Sequence, residues 1–468
     1  MKKLILVCDV LLFALLIYSA AFGSPFCSSD VYNDTEEDAW AICGGDFDGD
    51  GYIDIALADH SSNGKVTIHL NYYNDTPGVF NLDSTYQVGP NPYSVEAGLL
   101  DNDNHLDLAV ACDSFFIILW GDGEGKFGSP HKHQLEDGYK RLCLADLNDD
   151  GCIDIGVSNE ETGYVTVWIN DCSSRGFADS TGYEVGGDPA KVIAADLDND
   201  GNLDLALGNA TSIDSLPILW NDGDGGFDSI TYADLPSWCL QQPLNLTAID
   251  VDGNVCLDLA YACWLGECVQ VMKQVIIENE CSGTFTVNEN DFYVVSREPT
   301  CIIAKDLDGD GKDELITGNY DWPYFHVLWN QGDTYFEVEK VTDIHGGYDC
   351  TVIFSDNLNN DTLGTNDLAI GQCIDKQDPE SPAEDLVVLL NDWYHWYRGD
   401  VDCDDDRDIS DISYLQNYLF QSGPEPCNDP PGSEIRGDVN CDGQTTVSDL
   451  VFLINYVLKS GPAPCCPL

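Results

Sequence analysis

The chain has 468 residues, 43% of them hydrophobic, which is enough for one large cored domain and at least one smaller one. Its 83 acidic side chains against 19 basic ones leave a formal charge of -64, which argues against nucleic acid and anionic membrane as partners. The acids are spread among Trp, Tyr, Val and Leu rather than gathered in a tail, so they must be neutralised locally inside folded structure.

At the start of the chain, Lys2 and Lys3 precede an apolar stretch from Leu4 to Phe22, broken by Asp9, with Ala21 and Gly23 suited to cleavage. Residues 1–23 therefore read as a signal peptide, and the run from Val10 to Phe22 is short for a membrane span. Export to a secreted or cell-surface location places the 19 cysteines beyond Cys8 in an oxidising, calcium-rich space where disulfides form.

An acidic loop then recurs: "DFDGDGYID" (46–54), "LLDNDNHLD" (99–107), "DLNDDGCID" (146–154), "DLDNDGNLD" (196–204), "DVDGNVCLD" (250–258), "DLDGDGKDE" (306–314) and a longer "NLNNDTLGTND" (357–367). The period of about fifty residues suits a four-stranded propeller blade. Short apolar runs such as those in "LDLALG" and "ILWNDGDGGF" flank each loop, and no long helical period occurs before residue 400.

Loop positions 1, 3, 5 and 9 carry oxygen side chains, and Gly51, Gly151, Gly201 and Gly311 at position 6 allow the tight bend. The sets are Asp46, Asp48, Asp50 and Asp54; Asp101, Asp103 and Asp107; Asp146, Asn148, Asp150 and Asp154; Asp196, Asp198, Asp200 and Asp204. They continue with Asp250, Asp252, Asn254 and Asp258; Asp306, Asp308, Asp310 and Glu314; Asn357, Asn359, Asp361 and Asp367. Like charges so close repel unless a cation is shared, and calcium accepts six to eight oxygens in irregular geometry. Loops 1, 4 and 6 have full sets, whereas Leu99 at position 1 of loop 2 and the insertion in loop 7 predict weak or absent binding there.

These repeats resemble the FG-GAP (VCBS) repeats of integrin-α-like proteins, and residues 24–393 are expected to form a mainly β, seven-bladed β-propeller. The resemblance implies calcium loops on one rim and partner binding through loops elsewhere. The last copy ends in "DLVVLLND" without a fourth strand, so the segment near Val31 is expected to close the ring.

From residue 398 the period changes, and "GDVDCDDDRDISDISYLQNYLFQSGPEPC" is echoed 38 residues later by "GDVNCDGQTTVSDLVFLINYVLKSGPAPC". Asp400, Asp402, Asp404, Asp408 and Asp411, then Asp438, Asn440, Asp442 and Asp449, follow EF-hand spacing, with Asp at position 12, and a helix-period run follows each loop. Residues 398–468 resemble a small α-helical type I dockerin domain. That resemblance implies a cohesin module of a scaffold or cell-surface protein as partner, met through Ile409, Ser410, Val447 and Ser448. Matching cysteines predict the bridges Cys403–Cys427 and Cys441–Cys465, and "CWLGEC" predicts Cys263–Cys268.

No nucleophile triad, phosphate loop or zinc signature stands out. The favoured function is non-catalytic binding or display, and the rival is a polysaccharide-degrading lyase or glycoside hydrolase, with which dockerins usually travel. Trp264, Trp322 and Tyr324 are the candidate ligand-stacking side chains, whose alternative role is core packing.

Overall fold

The computed structural model describes residues 26–391, apart from 33–38, 72–78, 173, 174, 176, 178, 211–214, 237–241, 278, 279, 296, 297, 321–323, 333, 334, 342–348, 359–365 and 374–385. The leader, Trp322, Asn359, Asp361 and every expectation for 398–468, including Cys403–Cys427 and Cys441–Cys465, lie outside the described residues. The chain divides into two compact units, a smaller one of Met1–Ser28 with Asn391–Leu468 and a larger one of Ser29–Leu390.

In the larger unit the strands form seven four-stranded sheets, six of them simple consecutive meanders. In the first, Ala39–Gly45 pairs antiparallel with Asp54–Asp59, which pairs with Lys65–Asn71 and then Phe80–Gln87. The seventh sheet takes Asp349–Asp356, Asp367–Cys373 and Leu386–Asn391 from the end of the unit, and Phe26–Tyr32 from its beginning. The segment containing Val31 therefore supplies the missing fourth strand, as the sequence led us to expect. The ring is a seven-bladed propeller closed by hydrogen bonding of the N-terminal strand into the last blade, and such closure leaves few unpaired edges.

The first strands of successive blades touch one another around the axis: Ala39–Gly45 meets both Ser94–Gly98 and Asp349–Asp356. Second strands are buried along their whole length in "DIALAD", "DLAVAC", "DIGVSN", "DLALGN" and "DLAYAC". Sandwiched between neighbouring blades, they are apolar on both faces, so they show no alternation. The core lies between the sheets: one cluster joins Ala56, Ile68 and Leu70 of blade 1 to Val95, Leu108 and Ile117 of blade 2, and another joins Leu197 and Ile218 of blade 4 to Leu259 and Tyr261 of blade 5. Each such Leu or Ile contributes about 1.5–3 kcal/mol by burial, which a lone blade could not collect.

One disulfide expectation is overturned. Cys263 and Cys268 face each other across adjacent strands, but Cys268 is a buried thiol, and Cys263 is oxidised elsewhere. Directly opposed strand residues hold their Cβ atoms roughly 4.5–5.5 Å apart, wider than the ~3.8 Å a disulfide needs. Two bridges that spacing did not reveal are Cys152–Cys172 and Cys256–Cys281.

Candidate functional site

Each of acidic loops 1 to 6 joins the first strand of a blade to the second, so these six lie at the same end of the ring. In loop 1 the Asp46 carboxylate accepts the N–H groups of Gly49, Asp50 and Gly51 at 2.8–3.0 Å, which wraps the backbone around position 1. Asp196 and Asp306 are bonded in the same way by Gly201 and Gly311. The positive φ that the bend demands is met by Gly51, Gly151, Gly201 and Gly311, each between 85° and 97°.

Position 9 does more than its spacing suggested. Asp54 is fully buried, and its two oxygens accept Phe47 N–H at one end of the loop and Asn71 N–H at the end of the third strand, both at 2.8 Å. Asp154 and Asp204 repeat this with Leu147 and Asn170, and with Leu197 and Asn221. Burial pushes the carboxyls of Asp54, Asp107, Asp204 and Asp258 up to about 7 and that of Asp154 to about 6, outweighing the backbone donors that pull them down. In loop 6, burial raises Asp308 to about 6 and Glu314 to about 9.

Among the described residues, three loops bring their carboxylate oxygens within 4.8 Å of one another: Asp46, Asp48 and Asp50; Asp196, Asp198 and Asp204; Asp306, Asp308 and Glu314. These are loops 1, 4 and 6, the full sets of the sequence. Oxygens at that separation can meet one ion with metal–oxygen distances of roughly 2.3–2.6 Å, so the side chains fit calcium.

Loop 2 has a cation of its own. Arg175, from blade 3, places Nε 2.6 Å from Asp101 Oδ2 and Nη2 3.0 Å from Asp103 Oδ2, with its guanidinium 5.1 Å from the Trp120 ring. The segment that delivers it is held by the Cys152–Cys172 bridge and by Asn102 Nδ2, which donates to Cys172 O at 2.8 Å. A guanidinium therefore stands between two of the three acids expected to bind metal there, which accounts for the missing position-1 ligand at Leu99.

Loops 3 and 5, each with an Asn in place of one acid, carry the two disulfides: Cys152 and Cys256 at position 7 are tied to the chain just beyond the third strand. Loop 5 also puts Val255 at position 6 with φ 78°, a conformation costly for a β-branched residue, and its side chain is 69% exposed. Val255→Gly should therefore raise stability by about 1 kcal/mol, measured by denaturant unfolding at fixed calcium.

At the opposite end of the ring, the starts of the first strands and the turns between second and third strands enclose a cup of about 330 Å³. Six of the seven blades contribute to it; its walls include Trp40, Tyr139, Arg141, Glu160, Trp264 and Tyr320.

Comparison with known proteins decides what kind of repeat this is. Residues 46–110, 100–157 and 146–207 match the FG-GAP-like repeat family, and residues 398–458 match the dockerin type I domain. The chain carries FG-GAP-like repeats and a type I dockerin domain. A curated relative, a T-cell immunomodulatory protein homolog of Plasmodium yoelii yoelii, is 22% identical over 245 residues, covering 45% of this chain and 34% of its own length. The chain thus matches about a third of that relative. Among solved structures, BBS1N in complex with ARL6DN is similar at TM-score 0.51 and 15% identity, covering 78% of this chain and 97% of that one. A catalytically inactive virginiamycin B lyase from Staphylococcus aureus with quinupristin is similar at TM-score 0.50 and 12% identity, covering 78% and 99%. At such identities the likeness shows the propeller fold alone.

Within the FG-GAP-like repeats, a further residue escaped the sequence reading. Asn71 ends its third strand and Asn170 and Asn221 directly follow theirs, and each donates Nδ2–H to a carbonyl of the preceding blade: Leu358, Leu100 and Leu147, at 2.6–2.9 Å. Gln274 does the same to Leu197. An apolar residue followed by Asn at the end of the third strand (Leu70-Asn71, Ile169-Asn170, Trp220-Asn221) was the available signal, but the partners lie far off in sequence. Of the candidate stacking residues, Trp264 lines the cup with its ring 5.5 Å from Tyr320. Tyr324 is elsewhere, its ring covered by Lys340 Nζ at 3.4 Å, so the two do not form one platform.

Proposed function

We propose that this protein is a calcium-braced, non-catalytic binding propeller, exported and held through its dockerin by a cohesin-bearing scaffold or cell surface. The observation that carries this reading is the division of labour between the two ends of the ring. Acidic clusters suited to calcium occupy one end, and a cup with half-buried aromatic walls occupies the other. Type I dockerin domains bind cohesin modules, and the expected contacts here are Ile409, Ser410, Val447 and Ser448, with Asp400, Asp402, Asp404, Asp408, Asp411, Asp438, Asn440, Asp442 and Asp449 holding calcium. No helix among the described residues is long and apolar enough to cross a membrane.

Within the propeller Asp46, Asp48, Asp50, Asp196, Asp198, Asp204, Asp306, Asp308 and Glu314 would hold calcium. The ion would supply charge neutralisation there and no chemistry. Position 1 folds the loop, and position 9 fixes it to the second and third strands.

The test is capture of the full chain on immobilised cohesins at millimolar calcium, followed by incubation with plant and algal polysaccharides. Calcium-dependent retention without release of reducing or unsaturated sugar is the expected result. Released sugar would instead identify a carbohydrate-active enzyme, and absence of retention would refute the anchoring role.

A further inference from the structure

The cup combines three kinds of surface that no single structural role requires together. On one side an aromatic arc runs from Trp40, stacked on His60 at 4.2 Å, through Tyr93, 4.9 Å from His60, to Tyr139, 4.7 Å from Tyr93. On the other, Trp264 and Tyr320 lean together at 5.5 Å. Trp40, Trp264 and Tyr320 are half-buried and Tyr139 is 46% exposed, so part of each ring faces the cup rather than the core.

Between the rings stand two opposite charges, Arg141 and Glu160, that attract each other without touching. Arg141 is partly buried and donates Nη1–H to Tyr93 O at 2.8 Å; no carboxylate of those residues lies within 4.0 Å of its guanidinium. Its Nε and Nη2 donors have no acceptor among them. Glu160, also on the wall, accepts no hydrogen bond from a described group and feels Arg141 only from beyond contact distance. Next to Arg141, Lys140 is almost fully buried, and its Nζ is held by the carbonyls of Asp113 and Gly138, not by an acid. The side-chain amides of Gln242 and Asn245 complete the polar part of the lining.

A donor-only guanidinium and an acceptor-only carboxylate that face one cavity, yet share no hydrogen bond, select against several ligands. An anion is opposed by Glu160 and by the chain's -64 charge, and a cation by Arg141 and Lys140. An apolar ligand would bury both charges unpaired, at high cost. A sugar ring satisfies all of them, because its C–H face stacks on aromatic rings while each hydroxyl both donates and accepts. The volume, about 330 Å³, lies at the small end of the ~300–1,000 Å³ range of ligand pockets, so it admits the end of a chain, not its middle.

We infer that the axial cup binds the terminal one or two rings of a neutral oligosaccharide, stacked on Trp264 and Tyr320 and hydrogen-bonded by Arg141 and Glu160. This deepens the binding role proposed above and rests on it. The test is isothermal titration of the calcium-loaded full chain with neutral gluco-, manno-, galacto- and xylo-oligosaccharides, with oligouronates and acidic peptides in parallel. Each mixture is examined afterwards by chromatography. At least one neutral sugar is expected to bind with micromolar to millimolar affinity, and Trp264→Ala should weaken it at least tenfold, whereas Trp264→Phe, which keeps a ring, should lose less. Glu160→Gln should weaken binding severalfold without moving the melting temperature. Binding of oligouronates or peptides alone, no binding up to ten millimolar, or equal affinity in a folded Trp264→Ala would overturn the inference. Chromatography separates the two claims: a bound but cleaved sugar ends the non-catalytic reading and leaves the cup, whereas cohesin capture without sugar binding ends the cup and leaves the anchoring.

Discussion

Stripped of calcium by dialysis at pH 7.5, the propeller is expected to melt lower by on the order of 10 °C. An ion present at a thousandfold above its dissociation constant adds about 4 kcal/mol, so loops 1, 4 and 6 together account for about 12 kcal/mol. A unit of this size shifts by roughly 1–2 °C per kcal/mol, extrapolating from smaller domains. The loss depends on pH, with a definite sign. Asp54, Asp107, Asp204 and Asp258, held up to about 7, keep their protons in the metal-free fold to a higher pH than in the unfolded chain, where a carboxyl titrates near 4. The metal-free fold thus binds more protons between about pH 4 and 7, and its stability, complete below that window, is lost as pH rises through it. Calcium takes the place of the proton at Asp204, the one of these four that belongs to a calcium cluster, so the melting point of the loaded form should fall less from pH 5.5 to 7.5 than that of the stripped form. Scanning calorimetry at both pH values, with and without calcium, decides the matter. Identical melting points at pH 7.5 would refute the calcium role.

Replacing Arg175 should have the second-largest effect, and it is opposite in kind to the effect of replacing a metal ligand. Asp101 is 7% exposed in its side chain, so Arg175→Gln leaves a nearly buried carboxylate with its cation gone. The arginine is half exposed, which limits the cost to about 1 kcal/mol in calcium-free buffer. The sharper readout is stoichiometry. Leu99 is 43% exposed and tolerant of change, so Leu99→Asp together with Arg175→Gln recreates a full ligand set in loop 2. Calcium titration of that double variant should find one more ion than in the natural chain, whereas Leu99→Asp alone, with the guanidinium still present, should find none. An extra ion in the single variant would mean that Arg175 does not stand in for the metal.

The ring and its rim were legible because they rest on local chemistry repeated seven times. A Gly at position 6, an apolar residue at position 8 and acids at alternate positions state their own turn, and the period of about fifty residues states the blade. Loop 2 could be set apart too, since Leu99 breaks the pattern in plain view. The Cys263–Cys268 expectation failed for the opposite reason: nearness in sequence was taken for bonding geometry, and strand pairing sets that geometry.

By itself, then, the amino-acid sequence determined the repeat, the acidic loops, the strand that closes the ring and the change of module at residue 398, because each depends on residues close together in the chain. Only the tertiary structure decided which cation neutralises loop 2, which blades Asn71, Asn170 and Asn221 stitch together, and that Trp40, Arg141, Trp264 and Tyr320 share one cup. Those pairings join residues from different blades, and their distances are fixed by closure of the ring, a constraint that no local stretch of sequence contains.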